Sequence, residues 1–143
     1  MSTIRYSDAA SNAMLDSGLV PYINTGGSAS QIKYYNGTMP ATGDTAITTQ
    51  ILLATLPCSD PWQAAAAASR SVAADTITGA NAVADGTATF AILLNGNGDR
   101  VALMDVGNLS SSAAIKMSST TFVTGQPVSM TSLTISIPAT LTG

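Results

Sequence analysis

The side chains that could do chemistry in this chain are eight aspartates, one cysteine and many serine and threonine hydroxyls, and there is no histidine and no glutamate. Histidine is the commonest general base and metal ligand, and a serine nucleophile needs a base beside it. Ser110-Ser111-Ser112 therefore indicates turn and surface residues rather than a nucleophile. The composition predicts no catalytic residue, and we expect a protein without enzyme activity.

Two glycine-containing segments could bind ions. Asn95-Gly96-Asn97-Gly98-Asp99 offers oxygen ligands of the kind that calcium prefers, but five residues supply too few of them and no acidic residue stands at the far coordinating position. We interpret this segment as a hairpin turn in which the glycines supply positive φ. Gly26-Gly27-Ser28 lacks the lysine and the strand–loop–helix frame of a phosphate-binding loop. The sequence predicts no metal site and no cofactor.

Aspartate pairs and the single cysteine are the other candidates for chemistry. Asp99 with Asp105, or Asp75 with Asp85, could form paired carboxylates for acid–base work. The sequence places neither pair in a cleft, and solubilising surface charges are the simpler interpretation. Cys58 cannot form an internal disulfide, and we expect it to be a buried, inert thiol. No small-molecule substrate is expected.

Charge is scarce along the whole chain. Charged residues make up 9% of it and the net charge is −3, whereas soluble chains average about 25% charged residues. The basic residues are scattered singly, which argues against a nucleic-acid partner. The most apolar stretches, residues 51–57 and 90–94, are shorter than the roughly 18 residues that cross a bilayer. Residues 1–7 do not resemble a secretory signal, and we expect no membrane partner.

Small hydroxyl residues take the place of charge. Serine and threonine account for 36 of the 143 residues, while 45% of the residues are hydrophobic, which is too apolar for a disordered chain. A monomer normally relies on charge to stay dispersed. We therefore expect this chain to work inside a larger assembly, where much of its surface contacts protein. Trp62 could equally be a core residue or an anchor in such an interface.

The elements that must position these residues are predicted to be mainly strands. Ser7 or Asp8 can cap a short helix through residues 9–15, and Gly18 is a plausible stop. After this helix, glycine and proline recur nearly every ten residues between short β-branched runs. That spacing is typical of an all-β sandwich or barrel.

The first half of the strand region contains one clear part and one ambiguous part. Strands are predicted over residues 31–35 and 50–56, and the loop between them, residues 38–49, is long enough to contact a partner. Residues 63–74 include five consecutive alanines, which favour a helix by propensity. No stripe of large apolar residues is available for such a helix to bury. A mostly extended conformation is therefore favoured, with a helix as the alternative.

The second half of the chain has the stronger strand signals. Residues 87–94 and 100–106 form the clearest predicted hairpin, joined by a turn rich in asparagine and glycine. Residues 114–117 and 121–123 are predicted as a second strand pair. In residues 133–137 apolar and hydroxyl side chains alternate, as a half-buried antiparallel strand requires.

Several stretches resemble a known family. Ile32-Lys33-Tyr34-Tyr35-Asn36-Gly37-Thr38-Met39-Pro40 and, after a Thr/Ala loop, Ile51-Leu52-Leu53-Ala54-Thr55-Leu56 are similar to the pattern "hydrophobic strand, Gly-Thr-x-Pro, Leu-Leu-Ala-Thr-Leu" of small structural proteins of tailed bacteriophages. Further similar stretches are Asn12-Ala13-Met14-Leu15-Asp16, residues 86–90, 125–129 and 134–138. The resemblance covers most of the chain, from residue 12 to residue 138.

The resemblance implies a fold. It indicates an all-β protein, an antiparallel β-sandwich of jelly-roll type with a short N-terminal helix, as a single domain over residues 1–143. Residues 1–30 would form an N-terminal arm and the helix. Residues 31–138 would form the sandwich, and residues 139–143 a tail.

The resemblance also implies a virion protein that is made in the cytoplasm of the bacterial host. The first hypothesis is a capsid decoration, or cement, protein that bridges neighbouring major capsid protein subunits and forms a dimer or trimer with copies of itself. A neck, tail or fibre-attachment component is the second, and a carbohydrate-binding β-sandwich is the third. Residues 2–6 and 38–49 are the candidates for shell contact, because both are polar and irregular.

Overall fold

The computed structural model describes residues 3–142, which form a mostly β fold with one short helical segment, as the sequence predicts at that level. Ser2 of the candidate shell-contact segment and Gly143 of the tail lie outside the described residues. The helical segment comprises α1 (Asp8–Met14), a π-helical stretch (Leu15–Leu19) and α2 (Val20–Ile23). The strands are β1 (Thr3–Ile4), β2 (Gln31–Tyr35), β3 (Leu52–Pro57), β4 (Ser71–Ala73), β5 (Ala80–Asn81), β6 (Gly86–Thr87), β7 (Phe90–Leu94), β8 (Arg100–Asn108), β9 (Ile115–Met117), β10 (Thr121–Phe122), β11 (Pro127–Val128), β12 (Thr134–Ser136) and β13 (Leu141–Thr142).

The helical segment begins as predicted but ends later. The Ser7 hydroxyl accepts the Ala10 N–H at 3.1 Å and caps the first turn. Gly18 is not the predicted stop, because the chain passes through a π turn in which the Val20 N–H bonds the Leu15 carbonyl. This turn brings two residues five apart to one side of the helix, and both Leu15 and Val20 are buried. None of the helices within residues 3–142 has the length and hydropathy of a transmembrane helix.

Five strands form the central sheet in the order β3-β2-β7-β8-β9. The predicted hairpin is confirmed, since β7 and β8 pair antiparallel with Phe90 opposite Asp105. The strands predicted over residues 31–35 and 50–56 are present as β2 and β3, which also pair antiparallel. These are the longest ladders of the fold, and strong local patterns in the sequence specify them.

One strand pair departs from the antiparallel expectation. β9 lies parallel to β8, although the sequence predicts that it pairs with the following strand, β10, which instead pairs with β6. The chain can fold back across β8 because Gly107 has no side chain, and a Cβ there would collide with Ser111. Asp105 then accepts the Ala114 N–H at 2.7 Å and fixes the start of β9. The central sheet is therefore mixed.

Both faces of the central sheet carry buried side chains. On one face, Ile32, Tyr34 and Leu93 belong to the main hydrophobic core. On the other face, Phe90 and Ile92 are buried as well, although they lie outside that core. The second face must therefore have its own cover.

On this face Tyr35 stacks on Phe90 with ring centroids 5.4 Å apart, and the loop of residues 36–51 is bound to the same sheet. Pro40 of this loop is buried, and the Arg100 guanidinium at the start of β8 donates hydrogen bonds to the carbonyls of Gly43 and Thr45. The loop that the sequence marks as a candidate for partner contact is thus bound to its own sheet. Its remaining residues are mostly exposed.

Beyond the central sheet, two chain segments run antiparallel to each other, one with β4, β5 and β6 and the other with β10, β11 and β12. Val72 lies opposite Ile135 and Ala80 opposite Val128. Val72 and Ala80 are eight residues apart, whereas their partners Ile135 and Val128 are seven residues apart. The first segment therefore has one extra residue, and the register shifts by one between these two ladders. The three short ladders form one interrupted structure, which we name the ribbon. Buried apolar side chains of the ribbon are Val72, Ala82, Phe122, Val128 and Leu133.

Residues 62–75 form a hairpin, named the alanine hairpin, and not a helix. This confirms the extended conformation favoured by the sequence. Ala68 and Ser71 exchange two backbone hydrogen bonds of 3.0 Å each. Between them, Ser69 and Arg70 have φ values of 50° and 64°, the left-handed pair that a two-residue type I′ turn requires.

The helical segment holds the alanine hairpin through polar side chains. Side-chain oxygens of the helical segment and of Asn24, which follows it, accept backbone N–H groups of the hairpin: Asn12 from Arg70 at 2.9 Å, Asp16 from Ala67 at 2.7 Å, and Asn24 from Trp62 at 2.7 Å. An isolated run of five alanines is too short to nucleate a stable helix, and these acceptors favour the extended chain. Trp62 is fully buried, which makes it a core residue.

Candidate binding cleft

An open cleft of about 580 Å³ lies between β9 and the segment that connects β11 with β12. Residues 114–119 form one wall and residues 126–134 the other, while Tyr34 of β2 and Phe122 of β10 also line it. Ligand pockets typically have volumes of roughly 300 to 1,000 Å³. The cleft therefore has the size of a binding site.

Tyr34 and Phe122 form the apolar floor of the cleft. Their rings are tilted by 59° with centroids 5.4 Å apart, a favourable arrangement for an aromatic pair. Tyr34 points to this side because side chains alternate along a strand, and Ile32 is buried on the same face. Burial raises the pKa of Tyr34 to about 12. The phenol is therefore protonated at neutral pH and is able to donate a hydrogen bond.

The walls of the cleft carry hydroxyls, two half-buried methionines and one charge. Lys116 is the only charged residue among the described residues that line the cleft. Met117 and Met130 stand on opposite walls, and methionine adapts its shape to different ligands. The hydroxyl residues are Ser118, Ser119, Ser129, Thr131, Ser132 and Thr134. This lining suits a polar ligand that also has some apolar surface.

Backbone groups on both walls lack strand partners. β9 is the last strand of the central sheet and, within the described chain, pairs only with β8. On the opposite wall, residues 129–132 lie between β11 and β12 and belong to neither ladder. Strand edges present unpaired N–H and C=O groups. The cleft therefore offers backbone donors and acceptors on two sides.

The described lining of the cleft offers several kinds of group that can contact a ligand. It combines hydroxyls, one ammonium group and a protonated phenol, and contains no aspartate and no cysteine. Across residues 3–142, no group of three or more histidine, cysteine, aspartate or glutamate side chains is placed to hold a metal ion. A ligand here would be held by hydrogen bonds, one ionic contact and apolar packing.

The aspartates considered for acid–base chemistry are not brought together. Asp99 and Asp105 are six residues apart along one extended segment, a distance of about 20 Å at roughly 3.3 Å per residue. Asp75 is exposed. Asp85 accepts hydrogen bonds from the Thr124 backbone N–H and hydroxyl, each at 2.7 Å, and these bonds lower the pKa of Asp85. Asp85 therefore fixes a turn of the ribbon.

The other residues that the sequence offers as candidates for chemistry contribute to local packing and turns. Gly26, with φ of 123°, lies against Gly96 of the β7–β8 turn, where a side chain would collide with the backbone. Cys58 is buried as expected, and burial raises the pKa of its thiol. The Ser111 hydroxyl donates to the Asn108 carbonyl at 2.7 Å. None of these residues lines the cleft.

The turn between β7 and β8 is present as predicted, but its glycines have different roles. Only Gly98 has a positive φ, of 87°. Gly96 is required because a Cβ at this position would overlap the Ser28 carbonyl. The side-chain oxygen of buried Asn95 accepts amide N–H groups of the same turn.

A second surface lies where β2 ends and β3 begins. Ile51, Val83 and Val123 are 50%, 62% and 55% exposed, and we name these three residues the apolar end. The Val83 N–H bonds the carbonyl of Leu53, two residues after Ile51, at 2.8 Å. Val123 directly follows β10, and the N–H of Gly125, two residues later, bonds the carbonyl of Ala82 at 2.8 Å. These backbone hydrogen bonds place the chain around residues 51–53, 82–83 and 123–125 together in the fold.

The sequence alone does not reveal the cleft. Tyr34 of the lining is distant in the chain from the other lining residues, which lie within residues 114–134, and six of the 17 lining residues are serines or threonines, which are abundant everywhere. The available signal is the interruption of strand alternation between Val128 and Leu133. That interruption leaves the unpaired wall of the cleft.

Comparison of the chain with family models, with curated proteins and with solved structures finds no match.

Proposed function

We propose that this protein is a decoration, or cement, protein of a bacteriophage capsid, which binds and stabilises neighbouring major capsid protein subunits in the virion. It associates with copies of itself as a dimer or trimer and acts by binding, not by catalysis. The proposal is supported by the resemblance to small structural proteins of tailed phages. It is also supported by a surface that is rich in hydroxyls and carries few charges.

The observation that carries this proposal is the apolar end. Single exposed apolar residues are ordinary on a protein surface, but here three of them belong to chain segments that backbone hydrogen bonds place together. All three are β-branched, so they have few rotamers to lose when they are buried in an interface. A rigid apolar surface of this kind favours contact with another protein at a fixed position.

We further propose that the central sheet and the ribbon are the two layers of a β-sandwich of jelly-roll type. In support, side chains from one face of the sheet and from the ribbon share one hydrophobic core, which is how two packed sheets are stabilised. Such a body would hold the apolar end in a fixed geometry towards neighbouring subunits.

The copy number in purified particles tests the location. Quantitative mass spectrometry should find hundreds of copies per particle if the protein decorates the capsid. About a dozen copies or fewer, as expected for a ring at a symmetry axis, would instead assign it to the neck, the tail or a fibre attachment.

A binding experiment tests the surface. Val83→Asp combined with Val123→Asp should lower occupancy on capsids stripped of this protein, because an unpaired charge is costly to bury in an interface. Met14→Asp combined with Tyr22→Asp is the matched control, since it makes the same change in net charge at two residues of the helical segment that are 41% and 45% exposed. Failure of the unmodified protein to bind stripped capsids would contradict the proposed function. Unchanged binding of the double variant would contradict the role of the apolar end.

A further inference from the structure

We propose that the cleft binds an extended polypeptide segment of a partner protein, which adds as a strand to the free edge of β9 and places an acidic side chain beside Lys116. This inference goes beyond the proposed function, because it concerns a different surface from the apolar end. Either site can be active without the other.

The shape of the cleft fits an extended chain. Its β9 wall, residues 114–119 with the strand Ile115–Met117 at its centre, spans up to about 17 Å at roughly 3.3 Å per residue. A partner segment of about six residues could lie along this wall at the normal strand spacing of about 4.8 Å. A volume of about 580 Å³ is open to solvent on one side, so the partner need not thread through the protein.

The backbone of the cleft supplies the main attraction. β9 is the edge strand of the central sheet, and residues 129–132 on the facing wall lie outside every described ladder. In strand addition, main-chain hydrogen bonds provide affinity and pockets for alternate side chains provide specificity. A strand inserted here would extend the central sheet towards the ribbon.

The charge of the cleft selects the partner. Lys116 is exposed and stands on the edge strand itself, and no carboxylate is found among the described lining residues to neutralise it. A partner segment with an aspartate or glutamate is attracted, and one with a lysine or arginine is repelled. The chemistry of the cleft therefore favours an acidic segment.

The apolar residues of the cleft select the peptide residues that stand next to the acidic one. Met117 and Met130 face the cleft from opposite walls above Tyr34 and Phe122, and they can close around an aliphatic side chain of variable shape. The two aromatic rings are only 1% and 2% exposed, so neither presents a face on which a sugar ring could stack. A peptide with an apolar residue beside its acidic one fits this lining better than a glycan.

Selection from a displayed library of random octapeptides tests this inference with the intact protein. Enriched peptides should carry an aspartate or glutamate and apolar residues at alternate positions. When the strongest of them is added to ¹⁵N-labelled protein, amide shift changes should be concentrated in residues 114–119 and 129–134. No enrichment, or shift changes centred on the apolar end, would overturn the inference.

Charge reversal separates the role of Lys116 from a general charge effect. Lys116→Glu should weaken the selected peptide by about tenfold, because each exposed charge contact contributes up to about fivefold and reversal replaces an attraction by a repulsion. Arg5→Glu makes the same change in net charge at an exposed residue that does not line the cleft, and it should leave affinity unchanged. Equal losses in both variants would rule out recognition at Lys116.

Backbone methylation of the peptide tests strand addition itself. In an added strand, every second N–H bonds the neighbouring edge. N-methylation of the set of peptide amides that faces β9 should abolish binding, and N-methylation of the other set, which faces residues 129–132, should weaken binding less. Equal tolerance of both sets would contradict strand addition. A neutral glucose hexasaccharide is the second probe: if it shifts the amides of residues 114–119 and 129–134 and no peptide does so, the cleft would be assigned to glycans.

Discussion

The central sheet and the alanine hairpin are stabilised in different ways. In the sheet, Ile32 and Leu93 are completely buried in neighbouring strands, and the stability is spread over many apolar contacts along full ladders. The alanines of the hairpin are mostly exposed, and its stability depends on Trp62 and on side chains of the helical segment and Asn24 that accept its amide N–H groups. A region that buries little apolar surface can thus be fixed by a small number of specific polar contacts.

The largest expected effect comes from the one large side chain of the hairpin. Trp62→Ala should lower the free energy of unfolding by about 3 to 5 kcal/mol, the range for a fully buried tryptophan. Leu93→Ala in the sheet should cost about 2 to 5 kcal/mol. Urea unfolding followed by circular dichroism measures both. The contrary outcome is that Trp62→Ala lowers the free energy of unfolding by less than about 1 kcal/mol while Leu93→Ala shows the ordinary loss of a buried core residue. That result would mean that the hairpin is dispensable for the fold.

A conservative variant refines this comparison. The Trp62 indole Nε1–H is buried without a hydrogen-bond partner among the described residues, and such a donor is itself destabilising. Trp62→Phe removes that donor and keeps an aromatic ring. It should therefore cost clearly less than Trp62→Ala in the same unfolding experiment.

The second effect concerns the polar contacts. Asn24→Ala removes the acceptor of the Trp62 N–H and the donor to the Gln63 side-chain oxygen, which it meets at 2.8 Å. A buried amide left without a partner costs about 1 to 3 kcal/mol. Hydrogen exchange should accelerate selectively in residues 62–75, while the amides of β2 and β7 remain protected. Equal acceleration in the sheet would show that the two regions open as a single unit.

The third effect belongs to the sheet and depends on pH. Burial holds the pKa of Tyr34 at about 12, against a usual value of 10.0. Between these values the unfolded chain releases the phenolic proton and the folded chain keeps it, so stability falls as the pH rises, by up to about 1.4 kcal/mol per pH unit. Tyr34→Phe removes this loss, and its advantage over the unmodified protein should grow through the same window in urea unfolding. Parallel stability curves would indicate that the phenol is solvated through the cleft.

Local patterns account for the parts of the fold that the sequence predicts. Residues 31–35 alternate in burial as a strand should, and the β7–β8 hairpin has both its turn residues and its apolar strands. The parts that differ depend on contacts distant in the chain. The parallel course of β9 follows from the close approach of Ser111 to Gly107, and the helix passes Gly18 because a π turn turns its apolar side chains towards the core.

The ribbon and the cleft are hard to predict for the same reason. The ladders of the ribbon contain two or three residues each, too few for an alternating pattern to be recognised. The cleft exists where two of these ladders leave a gap. The candidate site therefore depends on tertiary pairing, and neither the abundant hydroxyl residues nor Lys116 identifies it in the sequence.

The smallest expected effect concerns the tip of the alanine hairpin. Ser69 has a φ of 50°, and Ser69→Gly should relieve left-handed strain of about 1 kcal/mol while increasing the entropy of the unfolded chain by a comparable or smaller amount. The net result is a stabilisation below about 1 kcal/mol, and Ser69→Ala should give none. Arg70→Gly relieves the same kind of strain at φ 64° but removes the 2.6 Å ion pair with Asp8 and the bond to the Tyr6 carbonyl, so it should destabilise the protein in urea unfolding. Equal gains from both glycines would mean that backbone strain, and not the Arg70 side chain, determines how firmly the hairpin is held.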